Sequence, residues 1–213
     1  MELSCIDCGT RACRGKGGTY PEFCLTTHME KNLVEESVQT LSQGTDHELT
    51  VASAITESEG YCKRTRVEDI MHVSKLMGWK KLGIAACVGL LDEARNLARI
   101  LRAHGFEVYG VACKCGAVQK TELGIPEECL AVGKNICNPV LQARILNKEG
   151  TNFNIVMGLC VGHDSLFYKY SEAYVTTLVT KDRVLGHNPV VPLNGVDGYW
   201  KHILEKDPYM DVE

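Results

Sequence analysis

Leu82-Gly83-Ile84-Ala85-Ala86-Cys87-Val88 is the stretch on which the fold turns. It is a short apolar run with no polar alternation, which suits a strand buried on both faces, as in a parallel sheet. Residues 91–104 follow with Leu91, Ala94, Leu97, Ala98 and Leu101 at helical spacing, and Gly105 stands where a helix ends. Residues 106–112 read as a second strand. Asn138-Pro139 then opens another helix, with proline at the first position where its missing N–H costs nothing, and Gly150 closes it. Residues 154–159 and 174–180 read as the third and fourth strands, with a short helix over 164–172 between them and a last one near 198–205. Strands alternating with crossover helices predict an α/β, Rossmann-like domain over 79–213. Its sheet is mainly parallel, about four-stranded, with flanking helices and right-handed connections.

Upstream, residues 28–78 read as a helical region. Thr27-His28-Met29-Glu30, Thr45-Asp46-His47-Glu48 and Thr65-Arg66-Val67-Glu68 each match the capping-box pattern. Residues 1–27 hold four cysteines and four glycines with little apolar periodicity, so something other than a core must order them. The three stretches are expected to form one compact unit.

Cys5, Cys8, Cys13 and Cys24 have the spacing C-x2-C-x4-C-x10-C. A CxxC turn presents two sulfurs to one ion, and the glycine-rich interval before Cys24 lets the chain loop back to deliver it. Four residues before Cys5 leave no room for the strand that a thioredoxin-type CxxC needs. The segment therefore reads as a metal or cluster site. Structural zinc usually uses two short knuckles and only one exists here, whereas one CxxC with irregular outliers suits an iron–sulfur cluster. His28 lies one turn beyond Cys24, where a helix start is its simpler role.

A second group of cysteines is picked out by placement. Cys87 ends the first strand, Cys113 and Cys115 follow the second, Cys160 follows the third, and Cys137 precedes the Asn138-Pro139 helix start. In a parallel sheet these positions share the carboxyl edge, where ligands bind in open α/β folds. A single strand-end cysteine is often only a small packing hydrophobe. Five such positions predict a second cofactor or thiolate site. His163, Asp164 and Lys114 are the candidates there for proton and charge handling, and His187 follows the fourth strand. Cys62 and Cys129 read as structural.

Composition narrows the function classes. The chain has 213 residues, 45% hydrophobic and 23% charged, with net charge −4, so it can bury a core and lacks the basic footprint of nucleic-acid binding. Eleven cysteines cannot all pair within one chain. No secretory signal and no apolar run of membrane-spanning length is present, so a cytoplasmic protein with reduced thiols is expected. No GxGxxG or P-loop indicates a nucleotide.

Cys5-Ile6-Asp7-Cys8-Gly9, Cys113-Lys114-Cys115-Gly116 and Gly158-Leu159-Cys160-Val161-Gly162-His163-Asp164 together resemble a family of uncharacterised bacterial and archaeal proteins. That family carries a domain of unknown function and is described as cysteine-rich and metal-binding. The resemblance covers nearly the whole chain and implies that Cys5, Cys8, Cys13 and Cys24 are metal ligands. It implies no reaction.

The leading expectation is an iron–sulfur protein, possessing one or two clusters of the 4Fe-4S kind, with a redox or electron-transfer role. A small-molecule substrate and an electron-donor protein would be its partners, and no membrane or nucleic acid is expected. Two alternatives are a zinc-binding structural or regulatory module, and a thiol enzyme with Cys160 as nucleophile and His163 as base.

Overall fold

A computed structural model describes residues 3–205. The chain divides into two compact units, Met1–Glu59 and Gly60–Glu213.

The first unit holds the cysteine-rich segment and three helices: α1 (Leu25–His28), α2 (Lys31–Leu41) and α3 (Gly44–Gly60). Two of the expected capping boxes are not formed. Thr27 lies inside α1, with its hydroxyl on the Cys24 carbonyl, and Glu30 is the N-cap of α2. Thr45 likewise falls inside α3, which already begins at Gly44. The helical spacing of Leu33, Val34, Val38 and Leu41 is realised in α2, yet all four are exposed.

The second unit begins with α4 (Arg66–Leu76), where the third capping box is formed: Thr65 donates its N–H to the Glu68 carboxylate at 2.7 Å, and its hydroxyl receives the Glu68 N–H. This helix goes with the sheet rather than with the helices before it. Arg66 donates to the Thr177 carbonyl and the Thr176 hydroxyl, both at 2.8 Å.

The sheet comprises β1 (Lys81–Ala86), β2 (Glu107–Ala112), β3 (Phe153–Met157) and β4 (Tyr174–Val179), all parallel, in the order β2-β1-β3-β4. The α/β expectation is met. The two central strands are buried almost throughout, which is why the sequence of β1 shows no alternation. Helices α5 (Leu91–Ala103), α6 (Pro139–Lys148) and α7 (His163–Tyr170) make the crossovers. A short α8 (Val190–Asn194) follows β4, and the expected terminal helix is a 3-10 turn over Lys201–Leu204.

Alternation along the strands sorts the two faces. Ala85, Val111 and Val156 pack with Ala143 and Leu146 of α6 and Phe167 of α7. Ile84 and Ala86 line a groove with Leu91 and Ala98 of α5 on the opposite side. Gly83 keeps α6 close, because a Cβ there would lie 2.0 Å from Asn154 Oδ1 and 3.0 Å from Leu146. From β1 the chain passes to β2 on one side, then crosses to β3 on the other, so strand order reverses at the carboxyl ends of β1 and β3. That is the place where open α/β sheets leave a crevice.

Candidate functional site

Strands β1 and β2 each continue their ladder by one residue past the end. Cys113 donates its backbone N–H to Ala86 O at 2.8 Å, and Cys87 donates to Met157 O at 3.0 Å. Because side chains alternate, Cys87 follows Ala85 and Cys113 follows Val111 onto the face that α6 and α7 cover. Cys113 is 1% exposed and Cys87 8%.

Helix α6 brings the third thiol. Asn138 caps it, its Oδ1 accepting the Leu141 N–H at 2.9 Å, and Pro139 occupies the first turn. Gln142, one turn on and fully buried, donates Nε2 to Val111 O at 2.7 Å and Ala86 O at 3.2 Å. The start of α6 is thereby fixed to the ends of β1 and β2, with Cys137 half-buried beside them.

The three thiols are electrostatically linked, with Cys113 acting on both Cys87 and Cys137, and the Cys113 sulfur accepts the Val88 N–H at 3.4 Å. Hydrogen bonding to Cys113 holds the Cys87 and Cys137 thiols down at about 5, against the burial that pushes them up. Contact with Cys137 and Cys87, with burial added, pushes Cys113 far up. Cys113 has one proton to donate, so the trio titrates as a unit and one neighbour holds the bond at a time.

These three thiols and Cys160 line a single cavity of about 410 Å³. His163 and Lys114 line it too, as the strand-edge argument expects. Cys160 sits at the start of α7, its carbonyl receiving the His163 N–H at 2.9 Å and the Asp164 N–H at 3.1 Å. Lys114 donates Nζ to the Asn135 carbonyl. Three expected residues stand elsewhere. Cys115 is exposed and off the cavity wall, because the chain turns after Cys113, with Cys115 N–H on Ala112 O at 3.0 Å. Asp164 accepts the Ser165 N–H at 2.8 Å in the first turn of α7. His187 closes a turn with Asp182, its Nδ1 accepting the Asp182 N–H at 3.0 Å.

The cavity also holds two cations that the motif reading passed over. Lys120, 8% exposed, comes from the irregular segment between β2 and α6, which folds back through a Gln119–Asn135 bridge; its Nζ donates to the Cys129 carbonyl. Arg183 follows β4 and donates Nη2 to Cys160 Sγ at 3.3 Å. Arg183 had a signal, since it lies just past a strand end. Lys120 had none, for its segment has no periodicity.

In the first unit, Cys5 and Cys8 flank a 3-10 turn, Cys13 lies in a second one, and Cys24 is the N-cap of α1. Cys5 and Cys13 are exposed, and Cys8 and Cys24 half-buried. The backbone of Arg11, then the hydroxyl and backbone of Thr10, hydrogen-bond the Cys8 sulfur and hold its thiol below the usual range. Arg11 adopts φ +52° there. Two amides aimed at one sulfur are what a thiolate ligand needs. His28 Nδ1 pairs with the Cys24 carbonyl at 3.0 Å. Cys62 and Cys129 are exposed. Among the described residues, no three or more His, Cys, Asp or Glu side chains are gathered closely enough to hold a metal ion, and no helix is long and apolar enough to cross a membrane.

Comparison with known proteins gives two matches. The family described as "Protein of unknown function (DUF1847)" matches residues 24–178. An uncharacterized protein from Methanocaldococcus jannaschii is 40% identical over 186 residues, covering 87% of this chain and 93% of the relative. The family match spans all five strand-edge cysteines and begins at Cys24, so Cys5, Cys8 and Cys13 precede it.

Proposed function

The chain belongs to the DUF1847 family of proteins of unknown function, and from that premise we propose that it is a metal-binding redox protein. Its reacting site is the thiol-lined cavity at the carboxyl edge of the sheet. Cys5, Cys8, Cys13 and Cys24 are the ligand set for an iron–sulfur cluster of the 4Fe-4S kind, supplied with electrons by a donor protein. The observation that carries the reading is the lining of one cavity by Cys87, Cys113, Cys137 and Cys160. Packing alone gives little reason to gather three thiols from separate strand ends and one from a helix start beside three cations.

The donor chemistry suits such a cluster: four thiols, with backbone and hydroxyl hydrogen bonds already favouring the thiolate at Cys8. When bound, the cluster supplies one-electron transfer. At the edge, four thiols on one cavity wall favour direct thiol chemistry on a small molecule.

The test is protein purified without oxygen. Bound iron and acid-labile sulfide, with broad visible absorption that bleaches on reduction, are expected. Cys8→Ser should lose both and Cys113→Ser should keep them. Colourless protein with one zinc per chain would replace this reading with the structural-zinc one. Iron retained in Cys8→Ser and lost in Cys113→Ser would move the metal to the sheet edge.

A further inference from the structure

We infer that Cys137 and Cys113 act as a dithiol couple that reduces a small, negatively charged disulfide bound in the edge cavity. This deepens the reading above and rests on its choice of the carboxyl edge as the reacting site.

The two thiols are unequally placed. Both line the cavity, but Cys137 is half-buried and the more accessible of the two, whereas Cys113 is 1% exposed. A disulfide entering the cavity meets Cys137 first, and Cys113 then reaches the mixed disulfide from the protein side. The backbone permits the closure. Asn138 N–H bonds the Cys113 carbonyl at 2.7 Å, which sets residues 137 and 113 side by side on the wall of one cavity. The Val88 N–H already points at the Cys113 sulfur and would support negative charge on it as it attacks. The contacts that keep Cys113 protonated include Cys137 itself, so that restraint weakens once Cys137 is covalently occupied.

The exchange balances. The Cys137 thiolate attacks one sulfur of the substrate, the substrate S–S bond breaks, and one thiolate leaves. Cys113 then attacks the Cys137 sulfur and gives its proton to the second leaving sulfur. The protein dithiol is oxidised to one disulfide, and the substrate disulfide is reduced by two electrons to a thiol and a thiolate.

Charge selects the substrate. Lys114, Lys120 and Arg183 line the cavity, and among the described residues no Asp or Glu does. Lys120 is largely buried, its ammonium with a carbonyl as hydrogen-bond partner and no ion pair among the described residues. A partly desolvated cation of this kind is stabilised by an anionic ligand. The apolar wall of Leu123, Ile125 and Val132 suits a carbon skeleton. At about 410 Å³ the space falls within the roughly 300–1,000 Å³ of small-ligand pockets.

The test uses the full chain, reduced and oxygen-free, with iron and sulfide measured first. At pH 6, where an ordinary thiol is almost wholly protonated, it receives one equivalent of dithiobis(nitrobenzoate), a disulfide with two carboxylates, or of uncharged dithiodipyridine. The expected result is two thiol products per chain and a Cys113–Cys137 disulfide in the peptide map. Cys113→Ser should release one product and keep the other on Cys137. Lys120→Met should slow the anionic reagent by about tenfold or more and leave the uncharged one nearly unchanged. A mixed disulfide persisting on Cys137 of the unsubstituted protein, a disulfide between other cysteines, or equal slowing of both reagents would overturn the inference. Protein without iron that still forms the Cys113–Cys137 bond supports the couple and removes the cluster. Iron-replete protein that does not form it removes the couple and leaves the cluster.

Discussion

Asn138 donates its backbone N–H to the Cys113 carbonyl at 2.7 Å while its side chain caps α6 through the Leu141 N–H at 2.9 Å. One residue thus starts the helix and fastens it to the residue that follows β2. Cys137, immediately before it, is held beside Cys113 in the same cavity as a result. That juxtaposition is a product of the fold's connections and does not depend on a flexible loop finding its place.

Asn138→Ala keeps the backbone bond and loses the cap. The expected cost is about 0.5–2 kcal/mol, read as a lower denaturant midpoint. Asn138→Asp retains a capping oxygen and should stay close to the parent. Equal losses in the two variants would mean that the cap is not what orders the start of α6.

Gly158 tests the turn that carries Cys160 away from β3. It adopts φ +64°, its N–H bonds Val179 O at 2.7 Å, and a Cβ there would lie 2.1 Å from Leu90 Cδ1. Gly105, after α5, also has positive φ, at +86°, but open space around it. Gly105→Ala should cost only the left-handed conformation, about 1–2 kcal/mol. Gly158→Ala should cost clearly more in the same denaturation measurement, because Leu90 is itself buried and must move.

What the sequence could disclose follows from periodicity. Cys87 and Cys113 were legible because a two-residue repeat carries Ala85 and Val111 one step further on the same face. Cys137 was legible from the proline-started helix behind it. Cys115 shares that repeat on paper and fails it in space, since the chain has already turned at Cys113. Lys120 reaches the cavity through 3-10 turns and a two-residue bridge, which leave no repeat to read. In α2 the apolar spacing correctly gave a helix, but spacing says nothing about whether a partner covers the face. The capping pattern erred at Thr27 and Thr45 for a related reason. Its few letters describe a helix start without fixing whether the helix begins earlier.

Gln142 offers a way to loosen the site without touching a thiol. Its Nε2 bonds two strand carbonyls, and its Oε1 is buried with no hydrogen-bond partner among the described residues. Gln142→Leu fills similar space and removes both bonds. The expected loss is about 1–3 kcal/mol of stability, with a smaller yield of the Cys113–Cys137 disulfide at equal reagent. Unchanged yield in a destabilised protein would show that Asn138 alone holds the two cysteines together.

The thiol group also sets a pH dependence whose sign can be worked out. Hydrogen bonding to Cys113 holds whichever of Cys87 and Cys137 receives its one proton at about 5 in the folded protein, whereas an unfolded thiol ionises at about 8.5. Between those limits the unfolded chain binds more protons than the folded one, so stability rises with pH from about 5 to about 8.5. Above that range the balance reverses at Cys113, which contact with Cys137 and Cys87 keeps protonated in the fold after the unfolded thiol has ionised. The denaturant midpoint should therefore climb from pH 5, peak between pH 8 and 9, and fall beyond. Other groups titrate across the same span, so the informative quantity is the difference from Cys113→Ala. Without the central donor, Cys87 and Cys137 lose the bond that lowers them, and both limbs of the difference should vanish. A parent and a variant with parallel profiles would mean that the three sulfurs ionise independently.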